Sequence, residues 1–176
     1  EELGTWGSAT LTVLAPGFRA ENLTVANGFD YPANAALAMD DPRRVERMQA
    51  VALMTAGASD RAVFDRVTVV GYQDTLFVDA GRSYFRDCKV VGHVDFIFGA
   101  GQAVFENCDI VSRNRANKNP TGYVTAPSTH VAQPYGLLFI NSRLLKEDSY
   151  LPAGSVRLGR PWHPGAVRTA EGSAVF

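Results

Sequence analysis

Two aspartates, Asp74 and Asp95, occupy the same place in consecutive copies of a sequence repeat. Carboxylates brought close together cannot easily both be ionised, so one pKa rises while the other stays low. That split supplies a proton donor and an anionic nucleophile at a single pH. Arg115 holds the equivalent place in a third copy, so the repeat predicts an Asp–Asp–Arg row. Phe77 and Phe98 each follow an aspartate by three residues and read as exposed aromatics flanking that row. An aspartate at a fixed repeat position can also simply make a turn. The charge row and its aromatic flanks favour a site.

Paired carboxylates suit two reactions. In glycoside hydrolysis one acid protonates the leaving oxygen while the other attacks or activates water. In ester hydrolysis a carboxylate nucleophile works beside hydrogen-bond donors aimed at a tetrahedral oxyanion. Gln73, directly before Asp74, and Gln49, further upstream, could supply such donors, although either could be a structural glutamine. Spacing alone does not choose between the two reactions. His93, His130 and His163 are scattered and lack metal-ligand spacing with the cysteines. No G-x-S-x-G elbow and no phosphate-binding glycine loop occurs. The residues call for no metal and no cofactor.

The element that must position the aspartates is the repeat itself. Phe64, Phe85 and Phe105 lie 21 and 20 residues apart. Seven residues after each comes Gly71, Gly92 or Ser112, three after each comes Val67, Cys88 or Cys108, and ten after each comes Asp74, Asp95 or Arg115. Short β-type runs with glycine punctuation at this period mark a strand-built solenoid. A leucine-rich repeat would need a recurrent L-x-x-L-x-L pattern, which is missing. In a parallel solenoid equivalent positions stack at roughly 4.8 Å, which sets Asp74 beside Asp95. Helical periodicity is nearly absent, so the chain is expected to be all-β and a single domain over residues 1–176.

Stacking also brings Cys88 and Cys108 within disulfide range, and a bridge is expected, which would imply an oxidising compartment. The alternative is a pair of reduced thiols in the core. Gly28 to Met48 breaks the rhythm and reads as an excursion with a short helix after Pro42. It is either a solvated loop or the wall of a cleft. Glu1 leads into a strand pattern and Phe176 ends an apolar run, so a solenoid incomplete at both ends is expected. A net charge of −1 predicts no nucleic-acid or membrane partner, and no run is apolar enough to span a bilayer. The start shows no signal peptide.

Four motifs occur in order: Gln49-Ala50-Val51-Ala52-Leu53, Gly71-Tyr72-Gln73-Asp74-Thr75-Leu76, Val94-Asp95-Phe96-Ile97-Phe98-Gly99 and Leu158-Gly159-Arg160-Pro161-Trp162. With Gly122-Tyr123-Val124-Thr125-Ala126-Pro127, they make the chain resemble pectin methylesterases, most closely the bacterial secreted type. The resemblance covers nearly the whole chain and implies a right-handed parallel β-helix. It implies Asp95 as nucleophile on a galacturonate methyl ester, Asp74 as general acid and then base, and Gln73 and Gln49 as oxyanion donors. Arg160 would hold the Asp95 carboxylate by charge-assisted hydrogen bonds. Trp162 and Phe98 would stack on sugar rings, with Phe77, Val94, Arg115 and Tyr123 lining the subsites. The implied partner is methyl-esterified homogalacturonan, met by a secreted monomer, with a periplasmic or outer-membrane-associated location as the alternative.

The chain departs from the pattern in four places. The early G-x-Y-x-E motif is missing, Phe77 replaces a commoner Tyr, His93 stands where Thr is usual, and His163-Pro164-Gly165-Ala166 differs. Other solenoid enzymes, such as a polygalacturonase or a pectate lyase, are the competing readings. A lyase would need calcium, and no acidic cluster for it is evident. A non-catalytic carbohydrate-binding relative would be expected to have lost one of Gln49, Gln73, Asp74, Asp95 or Arg160. All five are present.

Overall fold

The computed structural model describes residues 3–115, 118–164 and 174–176. After a single helical turn, α1 (Gly4–Gly7), the chain winds in coils of up to three strands. The first coil is β1 (Leu11–Val13), β2 (Arg19–Glu21) and β3 (Thr24–Ala26). An excursion follows, carrying the helix α2 (Tyr31–Ala36). The second coil is β4 (Leu53–Thr55), β5 (Ala62–Asp65) and β6 (Thr68–Val70), and the third is β7 (Leu76–Val78), β8 (Arg82–Arg86) and β9 (Lys89–Gly92). The fourth is β10 (Val94–Gly99), β11 (Gln102–Glu106) and β12 (Asp109–Ser112), and the fifth is β13 (Gly122–Pro127), β14 (Leu137–Ile140) and β15 (Arg143–Lys146). Strands β16 (Val156–Gly159) and β17 (Ala174–Val175) begin a sixth.

Equivalent strands pair in parallel and form three sheets: β1-β4-β7-β10-β13-β16, β2-β5-β8-β11-β14-β17 and β3-β6-β9-β12-β15. This is the parallel β-helix that the repeat predicts. Its core lies between the sheets and is built from the recurring apolar positions. Phe64 pairs with Phe85, Phe85 with Phe105, and Phe105 with Phe139. Their rings stack at 4.6, 4.7 and 4.6 Å, nearly parallel, in a column that continues to Phe176. Offset aromatic stacks of this kind add to the stabilisation from burial alone.

The other repeat positions now have causes. A Cβ at Gly92 would meet Phe96 Cβ at 2.3 Å and Thr75 Oγ1 at 2.6 Å, because the corner carrying the aspartates folds over the end of the preceding strand. Two residues after each column phenylalanine the backbone turns through the left-handed region, at Arg66, Asp87, Asn107 and Asn141. Asn and Asp tolerate that region best, and they fill three of these four corners.

The excursion departs from the expected form. Its helix is α2, started by Asp30, whose Oδ1 accepts from Ala33 N at 3.0 Å, with Pro32 in the first turn. The segment after Pro42 forms turns instead of a helix. The expected Cys88–Cys108 bridge is also absent: both cysteines are buried free thiols. They hold matching positions on adjacent coils, each just before the paired residues Lys89 and Asp109. Each sulfur is also engaged with backbone, Cys88 donating to Phe64 O at 3.4 Å and Cys108 to Phe85 O at 3.5 Å. The thiols thus serve as small apolar core groups whose weak donors are satisfied. No helix among the described residues is long and apolar enough to cross a membrane.

Candidate active site

The site lies on the sheet that runs from β1 to β16. Leu76 pairs with Ile97 and Phe77 with Phe98, so Asp74 and Asp95 occupy equivalent places on adjacent rungs. Asp74 N donates to Val94 O at 3.0 Å, tying the two corners together. Both aspartates adopt left-handed backbone, with φ of 61° at Asp74 and 50° at Asp95. They therefore do make turns, and the same turns place both carboxylates at one corner. The register between β10 and β13 shifts after Val94, a bulge at Asp95 and Phe96. Bulges re-aim side chains and are common beside active sites.

Arg160, just past β16, closes on Asp95 with a two-pronged ion pair: Nε donates to Oδ1 at 2.9 Å and Nη2 to Oδ2 at 2.5 Å. Its guanidinium also lies 4.6 Å from the centre of the Tyr123 ring. Asp74 has no such ion pair among the described residues. It is buried, and Thr5 Oγ1 donates to its Oδ2 at 3.2 Å. Burial first, and the Asp95 charge second, push the Asp74 carboxyl up to about 7, while Thr5 and Arg160 pull the other way. The two carboxyls thus stand in contrasting settings, one dry and one clamped by a cation.

Gln73 and Gln49 sit on neighbouring rungs and form a parallel bridge. The Gln49 side-chain oxygen is buried and finds no hydrogen-bond partner among the described residues. Val94 is buried, and its N–H donates to Nδ1 of His93 at 2.8 Å. His93 is fully buried against Tyr31 and Tyr72. Burial, then the nearby Arg115 and Arg113, depress its pKa to about 3, so it is a neutral acceptor supporting the strand that carries Asp95.

Two expectations need correction. Phe77 and Phe98 are buried, not exposed. They stack on each other at 4.3 Å, and Trp162 meets both edge-on at 6.1 and 5.5 Å. Arg115 is not the third member of the row. The connection between β12 and β13 lengthens the coil, and the fifth coil presents Tyr123 opposite Val94 instead. Arg115 leaves the sheet before the corner, where its Nε donates to Tyr31 Oη at 3.2 Å. The cation that meets the aspartates comes from Arg160. Of the divergent stretch after Trp162, Gly165 and Ala166 lie outside the described residues.

Sequence reasoning missed Thr5, Trp6 and Tyr31. Trp6 packs edge-on against Phe77 at 4.9 Å. All three lie outside the repeat, so no spacing signal marks them. Among the described residues no cluster of His, Cys, Asp or Glu could hold a metal ion.

The family model described as Pectinesterase matches residues 1–168. The chain belongs to the pectinesterase family. It is 53% identical to Pectinesterase A of Dickeya chrysanthemi over 164 residues, which make up 92% of this chain and 45% of that protein. The structure superposes on pectin methylesterase from Yersinia enterocolitica with a TM-score of 0.96 and 52% identity, covering 99% of this chain and 57% of the other. A crystal structure of pectin methylesterase in complex with hexasaccharide VII gives a TM-score of 0.96 at 49% identity, over 98% of this chain and 54% of the other. The chain therefore spans about half the length of the relatives it matches.

Proposed function

We propose that this chain carries the reaction centre of an enzyme that hydrolyses methyl esters on galacturonate units of homogalacturonan, releasing methanol. The observation that supports it most is the contrast between the two stacked aspartates: Asp95 clamped by Arg160, and Asp74 buried with its carboxyl raised to about 7. An ester hydrolase needs a nucleophile and a proton donor together, and this is such a pair.

In the proposed sequence an Asp95 carboxylate oxygen attacks the ester carbonyl carbon. The carbonyl π electrons move to oxygen, and the amide N–H groups of Gln73 and Gln49 stabilise that oxyanion. Collapse breaks the bond to the methoxy oxygen, which takes the Asp74 proton and leaves as methanol. Asp74, now ionised, removes a proton from a water that attacks the acyl group. Breakdown returns galacturonic acid, which gives its proton to solvent, together with ionised Asp95 and protonated Asp74. Trp162 provides apolar surface for sugar rings, while the buried Phe98 and Phe77 support it from beneath. Val94 and Tyr123 line the acceptor side, and Arg115 offers a cation to a neighbouring demethylated unit. The family relationship and the hexasaccharide complex of a similar protein support this substrate class. We read the protein as a monomer that meets its polymer outside the cell.

The test is to incubate the protein with methyl-esterified homogalacturonan and to measure methanol and polymer length together. Methanol release with unchanged chain length is expected. Chain cleavage or unsaturated ends without methanol would point to a glycosidase or a lyase instead.

A further inference from the structure

Helix α1 has little of its own to hold it. It is four residues long, its start carries no side-chain cap, and it buries no residue. A helix that short is not stable by itself in water. Yet Thr5, in its first turn, donates to Asp74 Oδ2. Whatever fixes α1 therefore also fixes the surroundings of Asp74.

Besides the edge of Trp6 on Phe77, two polar side chains do the fixing. Strand β1 begins at Leu11, and ahead of it the backbone has turned away into α1. Side chains then take the hydrogen bonds that a longer strand would make. Ser8 Oγ accepts from Val51 N at 3.0 Å and donates to Thr5 O at 3.0 Å. Asn27 Nδ2 donates to Ser8 O at 2.9 Å and to Val51 O at 2.8 Å. Asn27 is itself anchored just past β3, its N donating to Val70 O at 3.0 Å and its Oδ1 accepting from Phe29 N at 3.0 Å. Backbone groups of α1, of the first coil and of the second thus meet on two side chains.

We propose that Ser8 and Asn27 are positioning residues for the acid: by clamping α1 to Val51 they hold Thr5 against Asp74 and keep water from its carboxyl. They act through α1 and not on substrate. The proposal deepens the reading of Asp74 as proton donor and rests on it. The charged groups that face Asp74 are Asp95 on β10 and Arg160 past β16, and α1 contributes the Thr5 hydroxyl. Burial outweighs the Thr5 hydrogen bond among the influences on this carboxyl, and the two act in opposite directions. Loosening α1 removes both, so the net change is toward the ordinary carboxylate range. Losing the Thr5 bond alone moves it the other way.

The experiment uses the whole chain with Ser8→Ala and Asn27→Ala, the conservative Ser8→Thr, and Thr10→Val as a control. Thr10 Oγ1 donates to Ala26 O at 3.0 Å, a comparable bond nearby that does not involve α1. Methanol release is followed from about pH 5 to 9. Both alanine variants should carry the alkaline limb about one pH unit lower, so that kcat/KM falls about tenfold at pH 8 and little at pH 5. Ser8→Thr and Thr10→Val should keep the wild-type limb. A second readout needs no substrate: Asp74→Asn deletes the ionisable group, and its stabilising effect in urea at pH 8 should be smaller in the Ser8→Ala background than in wild type. A limb that stays put or moves up in the folded alanine variants, or an undiminished Asp74→Asn effect, overturns the proposal. Failure of both alanine variants to fold also overturns it, since a residue the fold cannot do without is structural. A wild-type chain that releases no methanol overturns the esterase reading and the part of Ser8 and Asn27 in it.

Discussion

Replacing Asp74 by Asn should make the protein more stable while removing its activity, and the gain should depend on pH. Asp74 is buried, with 8% of its surface exposed. Its carboxyl titrates at about 7 in the fold against 3.8 for the free group. Below pH 4 the carboxyl is protonated in both folded and unfolded chains, and its ionisation costs the fold nothing. As pH rises from about 4 to 7 the unfolded chain releases the proton while the folded chain holds it, so stability falls. Above 7 the full penalty stands. At about 1.4 kcal/mol per pH unit it comes to about 4 kcal/mol. Asn is nearly isosteric and still accepts the Thr5 hydrogen bond, but has nothing to ionise. We expect Asp74→Asn to gain about 2–4 kcal/mol at pH 8 and almost nothing at pH 3.5, read from urea denaturation across that range. Methanol release should be lost in the same variant, an instance of stability given up for function. A gain that does not grow with pH, or a variant less stable than wild type at pH 8, would refute the reasoning.

Other consequences follow from the same geometry. Because Asp74 must hold its proton to release methanol, kcat/KM should fall about tenfold per unit as pH rises beyond about 7. Thr5→Val removes a hydrogen bond that favours the ionised carboxyl, so the alkaline limb should move to higher pH; a limb unmoved, or moved lower, would contradict the assignment. Arg160→Ala breaks both prongs on Asp95 and should reduce kcat/KM roughly 10- to 100-fold, with Arg160→Lys recovering only part because one prong remains. Phe85→Ala, in the middle of the aromatic column with Phe64 and Phe105 on either side, should lower stability by about 3–5 kcal/mol in the same denaturation assay.

The repeat was legible because a solenoid imposes the same demand at the same place on every coil. The phenylalanine column, Gly71 and Gly92 under the returning corner, and the adjacent aspartates all follow from that demand. Features that break the repeat were not legible. Arg115 shares the period in sequence, but the longer connection before β13 carries it off the sheet, and counting residues cannot see a loop that leaves the coil. Phe77 and Phe98 read as exposed because their strands present them outward. They are covered by Trp162 and Trp6, which come from opposite ends of the chain. Cys88 and Cys108 were correctly read as neighbours, yet adjacency alone does not decide between a bridge and two buried free thiols, and the structure has the thiols. Thr5 has no counterpart in another coil, so nothing in the sequence marked it as the partner of Asp74. The resemblance to a known family supplied Arg160, which the repeat could not.

The most direct measurement is methanol release from methyl-esterified homogalacturonan by Asp95→Asn, with its melting curve recorded beside it. The account predicts a folded protein with no release above the uncatalysed rate, since the attacking carboxylate is gone while the rungs that carry it remain. A folded Asp95→Asn protein that still releases methanol at a rate near wild type would contradict it.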